Sequence, residues 1–195
     1  NINGADCVIS QTGFTGEKGY EIYVRDTHEN AEKVWNQVLE DGKEFGLMVI
    51  APAHHRRIAA GILSWGQDLD HESSPFQVNL SYQVPRNKKA DYIGKEELEK
   101  QRDMIDEGKA PFKMKMVGIT LGGKEITDYA PDFWIVTDTN GDEMGYVTSP
   151  WWSPELGTNI ALAWVPWSSS EVGTKLLVKL PDEYSVTPVS YTHLR

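Results

Sequence analysis

The sequence has little cysteine, a deficit of positive charge and no long hydrophobic run. Cys7 is the only cysteine among 195 residues, which excludes an internal disulfide framework and a cysteine-based zinc site. Nineteen Lys and Arg against 29 Asp and Glu give a net charge of −10, which argues against a general binder of nucleic-acid phosphates. No apolar run approaches the ~18 residues of a membrane span. These absences favour a cytoplasmic protein that binds neither nucleic acid nor membranes.

Both ends of the sequence indicate a fragment. The first residues, "NINGADCVIS", lack the basic and apolar regions of a signal peptide, and Asn1 stands where an initiator methionine would be. We therefore expect an N-terminal part to be absent. The last residues, "PVSYTHLR", show no apolar alternation and resemble the translation of a sequencing adapter, so we expect that they are not the native end. A genuine disordered tail is the alternative.

The first half of the chain alternates strand and helix patterns. Residues 5–10 and 20–24 have the β-branched and aromatic character of strands, and a helix with an apolar face follows from an N-cap at Thr27. "LMVIAP" (47–52) predicts a short strand, "HHRRIAAGILSWG" (54–66) a second helix, and the polar stretch at about 95–107 a third. The second helix is expected to bury Ile58, Ile62 and Leu63.

From Phe112 onward the pattern changes to short strands separated by Gly, Pro, Asn and Asp. "KMKMVGITL", "FWIVT", "MGYVTS", "NIALAWV" and "KLLVKL" predict a compact antiparallel barrel or sandwich. The predicted fold class is α+β, with an α/β part at 1–110 and a small antiparallel β-barrel domain at 111–195. "EGKAP", which supplies Gly and Pro, marks the boundary.

The stretch "QTGFTGEKGYEIYV" (11–24) places Gly13, Gly16 and Gly19 three residues apart before a strand. The spacing is wrong for a dinucleotide fingerprint, and no helix follows that could offer its N-terminus to a pyrophosphate. The glycines instead predict a sharp bend beside a strand on which Glu21 and Tyr23 share a face. A carboxylate in that position needs a donor, and a bidentate one suits it best.

Four segments of the sequence resemble, in order, motifs of the folate-binding T-protein family, which includes glycine-cleavage aminomethyltransferase and dimethylsulfoniopropionate demethylase. "QTGFTGEKGYE" resembles its R-T-G-Y-T-G-E-x-G-F-E signature, and "RRIAAGILSWGQDLD" its R-L-E-A-G-x-x-x-Y-G-x-D segment. "YIGKEEL" and "GYVTSPWWSPELGTNIALAWV" resemble an F-I-G-K motif and a stretch of the C-terminal barrel. The resemblance spans most of the chain.

The resemblance implies tetrahydrofolate as the one-carbon acceptor and assigns roles to five residues. Glu21 would accept the side-by-side N–H groups of the pterin. Phe14 and Tyr23 would pack against the pterin or the aminobenzoyl ring, and Arg57 would meet a folate carboxylate or brace the site. Trp65 stands at the family's Tyr and is also expected to bind the cofactor. The catalytic Asp of the family belongs to the N-terminal half, so no catalytic residue is assigned here.

Each assignment has a structural alternative. Glu21 could pair with Arg56 or Arg57, Arg57 could form a purely structural ion pair, and Phe14 and Tyr23 could be core aromatics. A metal site is not expected, because the adjacent histidines 54 and 55 face different sides of a helix. The sequence also departs from the family at Gln11, Ala59 and Trp65, where relatives carry Arg, Glu and Tyr.

The three differences from the family pattern weaken the assignment to the glycine-cleavage enzyme. The seven tryptophans favour a demethylase, because aromatic faces suit a cationic methyl donor. The main hypothesis is therefore transfer of a methyl group from a small sulfonium or ammonium donor to N5 of tetrahydrofolate. Two alternatives stay open. One is a glycine-cleavage aminomethyltransferase with a lipoyl carrier protein as partner, and the other is a non-catalytic folate-binding protein of the same fold.

Overall fold

A hairpin and three α-helices precede an antiparallel sheet in the computed structural model, which describes residues 1–184. The elements are β1 (Cys7–Ser10), β2 (Glu21–Val24), α1 (Thr27–Gly42), α2 (His54–Ala59), α3 (Lys95–Asp106), β3 (Met114–Leu121), β4 (Trp134–Thr137), β5 (Glu143–Ser153), β6 (Thr158–Pro166) and β7 (Leu177–Val178). Among the described residues no helix has the length and apolarity to cross a membrane. The tail "PVSYTHLR", predicted to be non-native, lies outside these residues.

The predicted strands at 5–10 and 20–24 form an antiparallel hairpin. Ser10 pairs with Glu21, and Cys7 with Val24. The helix that follows begins at Thr27, but Asp26, with φ 49°, occupies the cap position predicted for Thr27. The Thr27 hydroxyl donates instead to the carbonyl of Val24 at 3.0 Å, which ties the helix to the strand before it.

The strand predicted at 47–52 is absent from the structure. Met48 and Ile50 are 78% and 74% exposed, and residues 47–53 have no strand partner within residues 1–184. A strand is defined by the backbone hydrogen bonds of a neighbour, so an apolar, β-branched segment without one stays irregular. The strand prediction was wrong because the segment has no neighbouring strand to pair with in the described residues, although its composition is typical of a strand.

The second helix is shorter than predicted. It ends at Ala59, because Gly61 has φ +68° and the N–H of Ile62 turns back to the carbonyl of Arg57 at 2.8 Å. This is the geometry of a glycine-terminated helix end. Ile58 is buried as predicted, whereas Ile62 and Leu63 are only half-buried in the loop that follows.

The second half of the chain forms one five-stranded antiparallel sheet in the order β3-β6-β5-β4-β7, which curls into a half-barrel. Its main core is made only of residues from this half: Val117, Ile119, Leu121, Ile126, Trp134, Val136, Val147, Ala161, Ala163, Val165 and Leu176. The predicted α+β class with a C-terminal barrel-type domain is confirmed.

A second core joins the two halves of the chain. Ile58 of α2 and Val78 pack with Met116, Leu162 and Trp164 of the sheet. Helix α2 therefore lies directly on the strands β5 and β6. The boundary predicted between residues 110 and 111 falls in the segment that connects α3 to β3, and it stays a prediction.

One glycine in the sheet is required by a close backbone approach. A Cβ on Gly145 in β5 would lie 2.1 Å from the carbonyl oxygen of Trp164 in β6, so the strands would have to separate. Gly13, in contrast, lies outside the left-handed region of φ, and a Cβ there would meet no other atom within 4 Å.

We expect Gly145→Ala to destabilise the protein by about 1–3 kcal/mol, the usual cost of overpacking. At about 2–4 °C per kcal/mol for a chain of this size, calorimetry should show a melting temperature lower by several degrees. Gly13→Ala is the matched control and should change it little. Equal melting temperatures for the two variants would show that β5 and β6 do not approach this closely.

Candidate functional site

The glycine-rich turn between β1 and β2 rests against the end of α2. Gly16 has φ +77°, and a Cβ there would lie 2.4 Å from the Cβ of Ala60. Gly13 and Gly19 meet no such obstacle. Gly16 is therefore the glycine that the turn requires, and it brings the hairpin that carries Glu21 up to the helix that carries Arg57.

Glu21 is held by two hydroxyl groups at the start of β2. The hydroxyls of Thr12 and Tyr23 both donate to its Oε2, the latter at 2.9 Å. These hydrogen bonds, first that of Thr12 and then that of Tyr23, lower the pKa of Glu21. The side chain is thus an anion at neutral pH, and within residues 1–184 no donor occupies Oε1. Glu21 can therefore accept further N–H groups.

Arg57 is buried in the fold with only 2% of its surface exposed. Its Nη1 donates to Asp68 Oδ2 at 2.8 Å and to the carbonyl of Ile62 at 3.1 Å, and its Nη2 donates to Ser149 Oγ at 2.8 Å. A guanidinium that is removed from water needs such a set of acceptors. The ion pair with Asp68 provides the opposite charge.

Asp68 connects the loop after α2 to strand β5. Its Oδ2 also accepts the N–H of Ser64 at 2.7 Å, and its Oδ1 accepts the hydroxyls of Thr148 at 2.5 Å and Ser149 at 2.6 Å. The backbone carbonyl of Asp68 accepts the indole N–H of Trp164 at 2.8 Å. Every carboxylate oxygen is thus paired, which is the condition under which a buried charge network stabilises a fold.

Arg57, Asp68, Thr148 and Ser149 form a buried cluster in which one nitrogen atom has no hydrogen-bond partner among the described residues. The Nε of Arg57 is buried and makes no hydrogen bond to any described residue. The ring of Phe14, from the glycine-rich turn, lies with its centroid 5.9 Å from Arg57 Cζ. At this distance a guanidinium and an aromatic face attract each other, so the turn also contacts α2 through Phe14.

The structure brings four of the five predicted residues together in two pairs: Glu21 with Tyr23, and Arg57 with Phe14. Phe14 and Tyr23 are 49% and 55% exposed, so neither is a core aromatic in the described residues. Trp65 is 68% exposed on the loop after α2 and joins neither pair by a hydrogen bond or ring contact there. Arg57 forms its ion pair with Asp68, and no described salt bridge links Glu21 to it or to Arg56.

Sequence reasoning missed Asp68, Thr148 and Ser149 as individual residues. All three lie inside the quoted motifs, Asp68 in "SWGQDLD" and the other two in "YVTS". The available signal was the arginine on the helix, since a buried Arg needs a carboxylate. Asp68 and Asp70 were both eligible, and only the fold shows that Asp68 is the buried one.

An aromatic cluster covers the N-terminal end of α2. The His54 ring lies 4.5 Å from the ring of Tyr129 and 5.0 Å from that of Trp151, and the Tyr129 hydroxyl meets His54 Nε2. Partial burial, followed by the positive charge of Arg57, lowers the pKa of His54, which favours the neutral ring. No group of three or more His, Cys, Asp or Glu within residues 1–184 could hold a metal ion.

Two protein-family models match consecutive parts of the chain. The model described as the GCVT N-terminal domain matches residues 1–88, and that described as the glycine cleavage T-protein C-terminal barrel domain matches residues 115–192. The glycine-rich turn, Arg57 and Asp68 lie in the first region, and Ser149 lies in the second. The buried cluster thus joins residues of both matched regions.

Curated relatives and a solved structure agree with these matches. The chain is 39% identical over 165 residues to an aminomethyltransferase of Geobacillus sp. (strain WCH70), covering 84% of the chain and 42% of the relative. It is 35% identical over 169 residues to that of Thermotoga maritima, covering 84% and 42%. The chain therefore spans less than half the length of these relatives.

The fold is also similar to the crystal structure of glycine cleavage system aminomethyltransferase T from Bartonella henselae. The TM-score is 0.68 with 22% identity, over 95% of this chain and 47% of that one. At this identity the likeness shows the fold alone. The two family models together match most of the chain, and with the motifs around Glu21 and Arg57 they show that the chain belongs to the glycine-cleavage T-protein family.

Proposed function

We propose that the protein is a tetrahydrofolate-dependent aminomethyltransferase and that this chain provides part of its folate site. The proposal rests on the Glu21 carboxylate, which lies directly after the glycine-rich turn and is anionic at neutral pH. No donor from the described residues occupies its Oε1. A pterin presents two adjacent N–H groups, and a carboxylate can accept both of them. Tetrahydrofolate supplies the amine nitrogen that accepts the one-carbon unit.

The neighbouring residues fit this role. Thr12 and Tyr23 hold the Glu21 carboxylate in one orientation, so little freedom is lost when it binds a ligand. Phe14 and Tyr23 are exposed enough to contact a flat ring, and so is Trp65 on the loop after α2. Holding the acceptor in a fixed position is a large part of the catalysis expected for a one-carbon transfer.

Arg57 takes a bracing role in this proposal. Nη1 donates to Asp68 and Ile62 and Nη2 donates to Ser149, which leaves only Nε and one N–H of Nη2 for any further acceptor. The guanidinium therefore fixes the end of α2, and through Phe14 the turn as well. A direct bond from both terminal nitrogens to a folate carboxylate would require the buried cluster to break.

The curated relatives favour a different donor of the one-carbon unit from the one that the sequence pattern favours. The sequence pattern favours a demethylase for a sulfonium or ammonium methyl group. The curated relatives are aminomethyltransferases, which favours the alternative with an aminomethyl group carried on a lipoyl protein. We accordingly propose a lipoyl carrier protein as the partner of the full-length protein.

The folate assignment predicts a large loss of affinity in Glu21→Gln. This variant removes the anionic acceptor while preserving the shape of the side chain, and the affinity for tetrahydrofolate should fall about ten- to a hundredfold. Glu17→Gln, in the same exposed turn, is the matched control and should bind like the wild type. Calorimetric titration of the full-length protein measures both, and unchanged affinity in Glu21→Gln would refute the assignment.

The donor assignment is tested by supplying two donors separately to the full-length protein with tetrahydrofolate. A lipoyl carrier that bears an aminomethyl group should yield the one-carbon derivative of tetrahydrofolate. A small sulfonium donor such as dimethylsulfoniopropionate should yield none above background. Mass spectrometry of the folate product distinguishes methylene from methyl transfer. Methyl transfer from the sulfonium, with no reaction of the carrier, would restore the demethylase hypothesis.

A further inference from the structure

A cleft of about 400 Å³ lies between α3, the segment 76–86 and the start of β3. We name it the α3 cleft. Its lining includes three basic side chains and one acidic one: Arg86, Arg102, Lys115 and Asp106. In a protein whose net charge is −10, this is a local concentration of positive charge. None of these residues belongs to the glycine-rich turn or to the buried cluster around Arg57.

Only one of the three cations is neutralised by a two-point ion pair. Arg86 donates to both oxygens of Asp106, at 2.7 and 2.8 Å. Arg102 and Lys115 are half-buried, and neither forms a salt bridge within the described part of the chain. The side chains that line the α3 cleft therefore carry two more positive than negative charges, although Asp106 also lies within electrostatic range of Arg102. Partly buried charges are screened by salt less than exposed ones.

Both of these cations are held over aromatic rings. Arg102 Cζ lies 5.3 Å from the centroid of Phe76, and its Nη2 donates to the carbonyl of Val84. Lys115 Nζ lies 4.8 Å from the ring centroid of Trp167. Cation–π contacts restrict the two side chains without consuming their charge. The charges are thus positioned before any anion arrives, which reduces the entropy lost on binding.

The same cleft offers a flat apolar surface. Tyr82 lines it and is 75% exposed, so an open ring face stands beside the two cations. A volume of about 400 Å³ is within the range of small-molecule sites, roughly 300–1,000 Å³. The ligand that matches all of these features is a planar ring that carries an anionic group.

We propose that the α3 cleft binds a nucleoside monophosphate, with the phosphate between Arg102 and Lys115 and the base against Tyr82. A phosphate ester is favoured over a carboxylate because it carries a charge of about −1.5 to −2 at neutral pH, which matches the excess charge of the cleft. Charge-assisted bonds from a guanidinium and an ammonium are the usual means of binding such a group. This site is separate from the proposed folate site.

The test is calorimetric titration of the full-length protein with AMP, at low ionic strength. Saturable binding with a dissociation constant of about 1 mM or lower is expected, and it should weaken as salt is added. Lys115→Gln should weaken it about tenfold or more, because it removes one charge-assisted bond. Lys113→Gln, at an exposed position just before β3 that does not line the cleft, is the matched control and should leave binding unchanged.

Two further measurements separate the parts of the proposal. Adenosine, which has the ring without the phosphate, should bind much more weakly than AMP. Glu21→Gln should bind AMP like the wild type, because Glu21 belongs to the other site. Absence of saturable AMP binding by the wild type, equal affinity for adenosine and AMP, or equal loss in Lys113→Gln and Lys115→Gln would each overturn the proposal.

Discussion

The buried ion pair between Arg57 and Asp68 is the interaction on which the rest of this structure depends. Both side chains are shielded from solvent in the folded state, since the Arg57 side chain is 3% exposed and that of Asp68 is 0% exposed. Removing one partner of such a pair leaves a buried charge without compensation, at a cost of about 3–5 kcal/mol. The helix α2, the loop that follows it and strand β5 must therefore come together as one unit, because each supplies part of the cluster.

The position of the candidate folate site follows from this unit. With α2 fixed against the sheet, Ala60 supports the glycine-rich turn at Gly16, and Arg57 attracts the ring of Phe14. The hairpin also packs on α1, but half of its eight strand residues are exposed. Glu21 therefore depends, for its place in the protein, on a cluster that it does not itself touch. This explains how residues far apart in the sequence come together at the candidate site.

Much of the fold could be predicted from local patterns, and the failures have a common cause. Alternation and β-branching identified the strands of the sheet, and the shared face of Glu21 and Tyr23 followed from the two-residue period of a strand. The segment 47–52 has the same composition but no neighbour to pair with in the described residues, and composition does not reveal a partner. Choosing Asp68 over Asp70 for Arg57 likewise required the path of the loop, which no local pattern encodes.

Asp68 and Ser149 are hydrogen-bonded across the junction between α2 and the sheet. A double-mutant cycle measures the coupling free energy between these two residues most directly. Asp68→Asn, Ser149→Ala and the double variant are unfolded with denaturant, and their free energies of unfolding are compared. Residues in one hydrogen-bonded network typically show coupling of about 0.5–3 kcal/mol. The Ser149 hydroxyl bonds both Arg57 and Asp68, so we expect coupling of about 1 kcal/mol or more. Additive effects of the two substitutions would contradict the dependence of the junction on this cluster.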